Sequence, residues 1–127
     1  MSIYPTLRYT DAKAAIAFLT SAFGLTEETV STADDGSVGH AELSWNRGVI
    51  MLGTRRGSAD PFDTGRAVLY LPVDDVDAHH ERAVAAGAEI VYGLTDQPYG
   101  SREYAARDPE GNIWSFGTYH PTTRATA

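Results

Sequence analysis

His40 and Glu42 stand two residues apart, and on a strand that spacing puts an imidazole and a carboxylate on one face. Such a pair can move a proton as general acid and base, or supply two metal ligands in an unusual place; the plainer alternative is a hydrogen-bonded pair at an exposed sheet edge. Arg8 and Arg102 carry planar forks suited to carboxylate or phosphonate groups, unless salt bridges to Glu42 or Glu103 occupy them. Tyr4, Tyr70, Tyr104 and Trp114 offer rings that stack on a planar guest. His79 and His80 lie among Val76, Ala83 and Val84 in a helical stretch where packed or solvated roles are expected, and Asp74, Asp75 and Asp77 read as helix-capping charges. The chain has no cysteine, which excludes disulfides, thiolate metal sites and cysteine nucleophiles. It also lacks a Gly-rich phosphate loop, a Gly-x-Ser-x-Gly elbow and a His-Glu-x-x-His helix. Ser115 has no visible base and is a poor nucleophile.

These residues need a scaffold, and 127 residues with 43% hydrophobic and 21% charged side chains suit one globular domain. No apolar run approaches the roughly 20 residues of a membrane span, and the first residues lack a basic segment followed by an apolar block. A cytoplasmic protein with no membrane partner is expected. The net charge of −7 argues against a nucleic-acid partner and favours neutral or cationic ones.

Alternation predicts strands over 3–9, 25–31, 38–45 and 49–54, with a helix over 11–23 capped by Thr10 or Asp11 and ended by Gly24. The segment 55–66, rich in Gly, Ser, Asp and Pro, reads as a linker. The order then repeats: a strand over 67–73, a helix from Asp74 or Asp75 to Ala86 ended by Gly87, and strands over 89–92, 101–107 and 112–118. An irregular loop is expected over 94–100 and a disordered tail over 121–127. At an offset of 64, Leu7, Asp11 and Ala14 overlie Leu71, Asp75 and Ala78. The fold class is therefore α+β: two β-α-β-β-β modules, about 1–54 and about 67–118, with a tail over 119–127.

The stretches Tyr9–Leu25 and Val73–Ile90, together with the turn Asp108-Pro109-Glu110-Gly111-Asn112, resemble the vicinal oxygen chelate superfamily of glyoxalases, extradiol dioxygenases and bleomycin-resistance proteins. Gly39–Leu43 and Asp96–Arg102 are most similar to its phosphonate-operon (PhnB-like) branch. The resemblance implies paired curved sheets around a cup, helices on the convex side, and a homodimer. It also implies a metal site in the enzymes, with His or Gln on each module's first strand and Glu on each module's last. Carried onto this chain, those positions fall on Tyr4, Met51, Val68 and Ser115, none of which is an ordinary ligand of a divalent metal. No metal and no cofactor are expected, a divalent metal at an atypical site being the alternative.

Alternation from those positions assigns Tyr4, Arg8, His40, Glu42, Met51 and Tyr70 to the cup. A four-residue loop from Asp108 to Gly111 would pair Arg107 with Asn112 and add Arg102, Tyr104 and Ser115. The function this set implies is metal-independent binding of a small molecule, cationic or aromatic and of the antibiotic kind, in the manner of bleomycin-resistance proteins. The alternatives are a lyase, isomerase or dioxygenase using an atypical metal site, and a structural dimer whose cup is filled by its own side chains.

Overall fold

Asp11 and Asp75 each turn a carboxylate back onto the N–H three residues later, Ala14 N and Ala78 N, both at 3.0 Å. Each thereby starts a helix after one short strand. In the computed structural model, which describes residues 2–123, the order is β1 (Thr6–Tyr9), α1 (Ala12–Ala22), β2 (Thr26–Thr32), β3 (Val38–Trp45), β4 (Gly48–Thr54), β5 (Val68–Pro72), α2 (Val76–Ala85), β6 (Glu89–Asp96), β7 (Arg102–Arg107) and β8 (Ile113–Gly117). The strands form two four-stranded sheets, ordered β1-β4-β3-β2 and β5-β8-β7-β6. Within each, the first strand runs parallel to the last and tight turns make the other pairs antiparallel.

The repeat holds to the residue in the parallel ladders. Thr6 pairs with Met51 and Leu7 with Leu52, while Tyr70 pairs with Ser115 and Leu71 with Phe116, each 64 positions further on. The helix ends are one residue out of step, at Gly24 (φ 80°) and Gly87 (φ 83°), where a left-handed residue closes each helix.

One core serves both modules. Leu7 and Tyr9 of β1, Leu19 and Phe23 of the α1 region, and Leu43 and Leu52 of the first sheet join Leu71, Tyr104, Trp114 and Phe116 of the second. Phe23 packs against Phe116 and Trp114 at ring-centroid distances of 4.9 and 5.7 Å. Polar contacts reinforce the seam. Arg82 of α2 donates to the carbonyls of Ser21 and Thr20 (3.0 and 3.1 Å), placing a cation at the C-terminal end of α1. Trp45 Nε1 donates to Pro72 O (2.8 Å), and the Glu110 carboxylate accepts from the N–H groups of Thr10 and Asp11 (2.6 and 2.8 Å).

Two element boundaries differ from the sequence expectation by three residues or more. β1 starts at Thr6 rather than Ile3, because Pro5 has no N–H for the ladder, although its carbonyl accepts from Met51 N (2.9 Å). β6 continues through Gly93 to Asp96 instead of stopping at Tyr92. Its register against β7 shifts between Ile90 and Tyr92 and again between Tyr92 and Thr95, so irregularities absorb residues that read as loop. Residues 121–123 of the expected tail have no regular structure, and 124–127 lie outside the described residues. Among the described residues no helix is long and apolar enough to cross a membrane.

His79 sits inside this core rather than on a solvated helix face. It is 8% exposed, with Nε2 2.7 Å from Phe23 O and Nδ1 2.5 Å from Tyr104 Oη. A carbonyl only accepts, so Nε2 carries a proton, and in the neutral ring Nδ1 accepts from the phenol. Burial, with the nearby Arg82 charge, holds its pKa below the ordinary 6.5. The unfolded chain then binds a proton near pH 6.5 that the folded chain refuses. This contribution is complete above that pH and is lost as pH falls from it toward the depressed folded value. His79→Gln keeps a donor and an acceptor without titrating. The thermal midpoint of the wild type should therefore fall more steeply than that of the variant between about pH 7.5 and 5. Parallel curves would show that His79 does not titrate differently in the folded state.

Candidate functional site

In each sheet one face meets the shared core and the other is free of it. On the first sheet Leu7, Tyr9, Ala41, Leu43, Ile50 and Leu52 are buried, whereas Arg8, Glu42 and Met51 are half-buried and Thr6 and His40 exposed. Glu42 lies opposite Met51, and Met51 opposite Thr6, so these side chains share a patch across β3, β4 and β1. His40 and Glu42 pair with each other at 2.9 Å, with side chains 47% and 39% exposed. That is a solvated pair of small energetic consequence. Tyr4 precedes β1 and is exposed.

Arg8 is occupied from an unexpected direction. The segment 55–66 folds back onto it, and its guanidinium contacts Asp63 Oδ1 at 3.0 Å and Asp60 Oδ2 at 3.4 Å, rather than Glu42 or Glu103. The second Asp63 oxygen accepts from the N–H groups of Arg56 and Gly57 (2.6 and 2.7 Å), and the Phe62 ring centroid lies 5.7 Å from the Arg8 guanidinium carbon. Arg8 thus anchors the inter-module segment.

On the second sheet the expected register at the last hairpin is off by one residue. Asp108 N donates to Asn112 O at 2.9 Å, so the loop spans 108–112 and Arg107 pairs with Ile113 instead of Asn112. A shift of one reverses every side chain of β7. Tyr104 therefore lies opposite Phe116, is 0% exposed and bonds His79; it is a core residue and not part of the free face. Arg102 turns the same way and bonds Asp77 of α2 (2.7 Å) and Asp96 (3.2 Å), where it faces the helix instead of a ligand. Ser115 does lie on the free face, opposite Tyr70 on one side and Ala105 on the other.

The same reversal brings Glu103 to the free face. It is 6% exposed and accepts from Tyr99 Oη at 2.9 Å, a bond that raises the Tyr99 phenol pKa. Tyr70 Oη donates to Tyr119 O (2.7 Å) and Ser101 Oγ accepts from Tyr119 N (3.1 Å). Gly117 lies opposite Glu103. A Cβ there would fall 2.6 Å from Glu103 Cγ, 2.7 Å from Tyr70 Oη and 3.0 Å from Ser101 Oγ. The sequence reading missed Glu103, Tyr99, Ser101 and Gly117. The available signal was composition: Tyr104 and Ala106 are the apolar pair of β7, and they belong opposite Phe116 and Trp114.

The side chains do not suit the divalent metal of the family's enzymes. The ladders put Thr6 with Met51 and Tyr70 with Ser115, and Tyr4 and Val68 two residues earlier add a phenol and an alkyl group. Among the described residues no three His, Asp or Glu side chains converge as metal ligands would. What the surface offers instead is a largely apolar groove of about 1000 Å³ beside β5, with Trp45, Val49, Val68, Tyr70, Leu71 and His120 in its lining. Tyr70 belongs both to this groove and to the Glu103 cluster. Among the described residues no hydrogen bond or ion pair joins the free face of one sheet to that of the other.

Two β-α-β-β-β units with their free faces in this form define a class, and the sequence agrees. The profile of the Glyoxalase/Bleomycin resistance protein/Dioxygenase superfamily matches residues 3–116, and the chain belongs to that family. An uncharacterized protein of Mycobacterium bovis is 34% identical over 91% of this chain and 82% of its own length. The crystal structure of TioX from Micromonospora sp. ML1 superposes with a TM-score of 0.77 at 32% identity, covering 94% of this chain and 99% of that one. TnmS3, an antibiotic binding protein from Streptomyces sp. CB03234, shares the fold with a TM-score of 0.72 at 20% identity, over 91% of this chain and 96% of its own.

Gly117→Ala tests the convergence over that residue. The added methyl group meets Glu103, Tyr70 and Ser101 below ordinary contact distance and should cost about 1–3 kcal/mol in urea unfolding. Gly93→Ala, with nothing within 4 Å, should cost about 1 kcal/mol or less. Equal effects would mean that the three side chains do not meet at Gly117.

Proposed function

We propose that this chain binds a small organic molecule of the antibiotic kind in the groove beside β5 and on the free sheet face that Tyr70 shares with it, without a metal, as a homodimer in the cytoplasm. The observation that carries this reading is the apolar groove of about 1000 Å³, bordered by Tyr70, a volume that suits a drug-sized molecule. Membership of the family does not choose between binding and catalysis, since its name covers both. The donor chemistry supports binding: Thr6, Met51, Tyr70 and Ser115 are poor metal ligands. The antibiotic-binding relative TnmS3 shows that this fold can hold such a guest. Tyr4, Met51, Tyr70 and Ser115 are proposed as ligand contacts. The outer strands β1, β2, β5 and β6 have edges that a second copy would cover. The motifs around His40 and Arg102 support a place near the phosphonate-operon (PhnB-like) branch as the finer part of this proposal.

The test is a thermal-shift screen of the purified dimer, its mass set by light scattering, against a panel of antibiotics with and without EDTA. At least one compound should raise the midpoint equally in both conditions, and Tyr70→Ala should weaken its binding about tenfold. A monomeric mass would contradict the dimer. Binding that needs a stoichiometric metal, or no binding across the panel, would contradict the rest.

A further inference from the structure

Glu103 is the most deeply placed free-face carboxylate, with 6% of its surface exposed. Among the described residues its side chain accepts one hydrogen bond, from Tyr99 Oη at 2.9 Å, and forms no ion pair with any Lys, Arg or His. The other acidic residue buried to this degree, Asp108, accepts five hydrogen bonds from Tyr9, Glu110, Asn112 and Trp114. Carboxylates are almost never this buried unless paired, because the charge loses its hydration and gains nothing in return. A burial pattern that leaves acceptor capacity on Glu103 is that of a site whose counter-charge arrives from outside.

The surroundings say what kind of counter-charge fits. Tyr99 donates its hydroxyl to the carboxylate, and Tyr70 Oη and Glu103 Cγ converge over Gly117; aromatic side chains beside an acid favour a cation. Gly117 lies opposite Glu103 with no side chain, so Glu103, Tyr70 and Ser101 approach one another across it. Tyr99, 64% exposed on the turn before β7, marks the way in. Tyr70 also lines the apolar groove, whose lining does not include Glu103, Tyr99 or Ser101, so Tyr70 is the side chain that the groove and the Glu103 cluster share. The net charge of −7 favours the approach of a cation.

We propose that Glu103, Tyr70 and Tyr99 form a recognition site for a cationic nitrogen, a protonated amine or methylated ammonium, carried by a molecule whose apolar body occupies the groove beside β5. The proposal rests on the small-molecule reading above and adds the chemical class of the guest and the residue that selects it. Glu103 neutralises the cation, the two rings desolvate it on their faces, and the groove takes the apolar part.

The experiment compares two fluorescent probes of equal length on the full chain: dansylcadaverine, which ends in a primary ammonium, and the dansyl amide of n-hexylamine, which ends in a methyl group in the same place. Wild type should bind the cationic probe at least about tenfold more tightly, the effect of one charge-assisted contact. Glu103→Gln should abolish that preference, bringing the ratio of the two affinities to about one. Tyr99→Ala alters only an exposed loop residue, which guards against misfolding in the first variant, and should reduce the preference severalfold. Equal affinity of wild type for both probes would overturn the cation site while leaving small-molecule binding intact. A preference that survives Glu103→Gln would overturn the role of Glu103. Binding of neither probe would overturn the site, whereas failure of the antibiotic screen would count against the wider reading.

Discussion

The carboxylate of Asp108 holds the structure's two halves to one turn. It is 4% exposed; one oxygen accepts from the backbone N–H groups of Glu110 and Asn112, and the other from Tyr9 Oη (2.6 Å), Asn112 Nδ2 and Trp114 Nε1. Tyr9 belongs to the first module and Trp114 to the second, so a single side chain fixes the turn and ties it to the opposite sheet. Five donors satisfy the buried charge, where a missing one would leave it costly. The Tyr9 phenol, buried against that charge, is held protonated well above its usual pKa, consistent with its role as a donor. Glu110, two residues on, adds its bonds to Thr10 and Asp11. The turn therefore decides how β7 and β8 pair and how the second module sits on the first.

From that register follows the division of side chains between core and free face. Tyr104 goes inward to His79 and Phe116, where burial raises its phenol pKa, and Glu103 goes outward to Tyr99. The two modules have kept their ladder pairings at an offset of 64 and diverged in what they display there. The first free face has an arginine held by the inter-module segment and a solvated His40–Glu42 pair. The second has a buried acid among tyrosines. The same ladder pairings thus carry two surfaces with different chemistry, and among the described residues neither brings three His, Asp or Glu side chains together.

Much of the fold was legible in the sequence because local chemistry sets it. Asp11, Asp75, Gly24 and Gly87 mark helix ends by their own hydrogen bonds and backbone angles, and the repeated order of elements follows from periodicity. The site was less legible because it depends on facts that periodicity does not carry. Whether the Asp108 loop holds four or five residues changes no composition, yet it moves Tyr104 and Arg102 to the core side and Glu103 to the free face. The pairing of Arg8 with Asp60 and Asp63 joins residues more than fifty positions apart through a segment that reads only as a linker. His79 was legible as a helix residue with a packed or solvated structural role, but its two buried partners, Phe23 and Tyr104, come from different modules.

The central claim is the five-residue turn and the face assignment it enforces, and the most direct measurement is cross-strand proton contacts by solution NMR. The account predicts backbone nuclear Overhauser effects between Ala105 and Ser115 and ring contacts joining Tyr104 with Phe116 and His79. Contacts between Tyr104 and Ser115, with Glu103 set against the core, would contradict it.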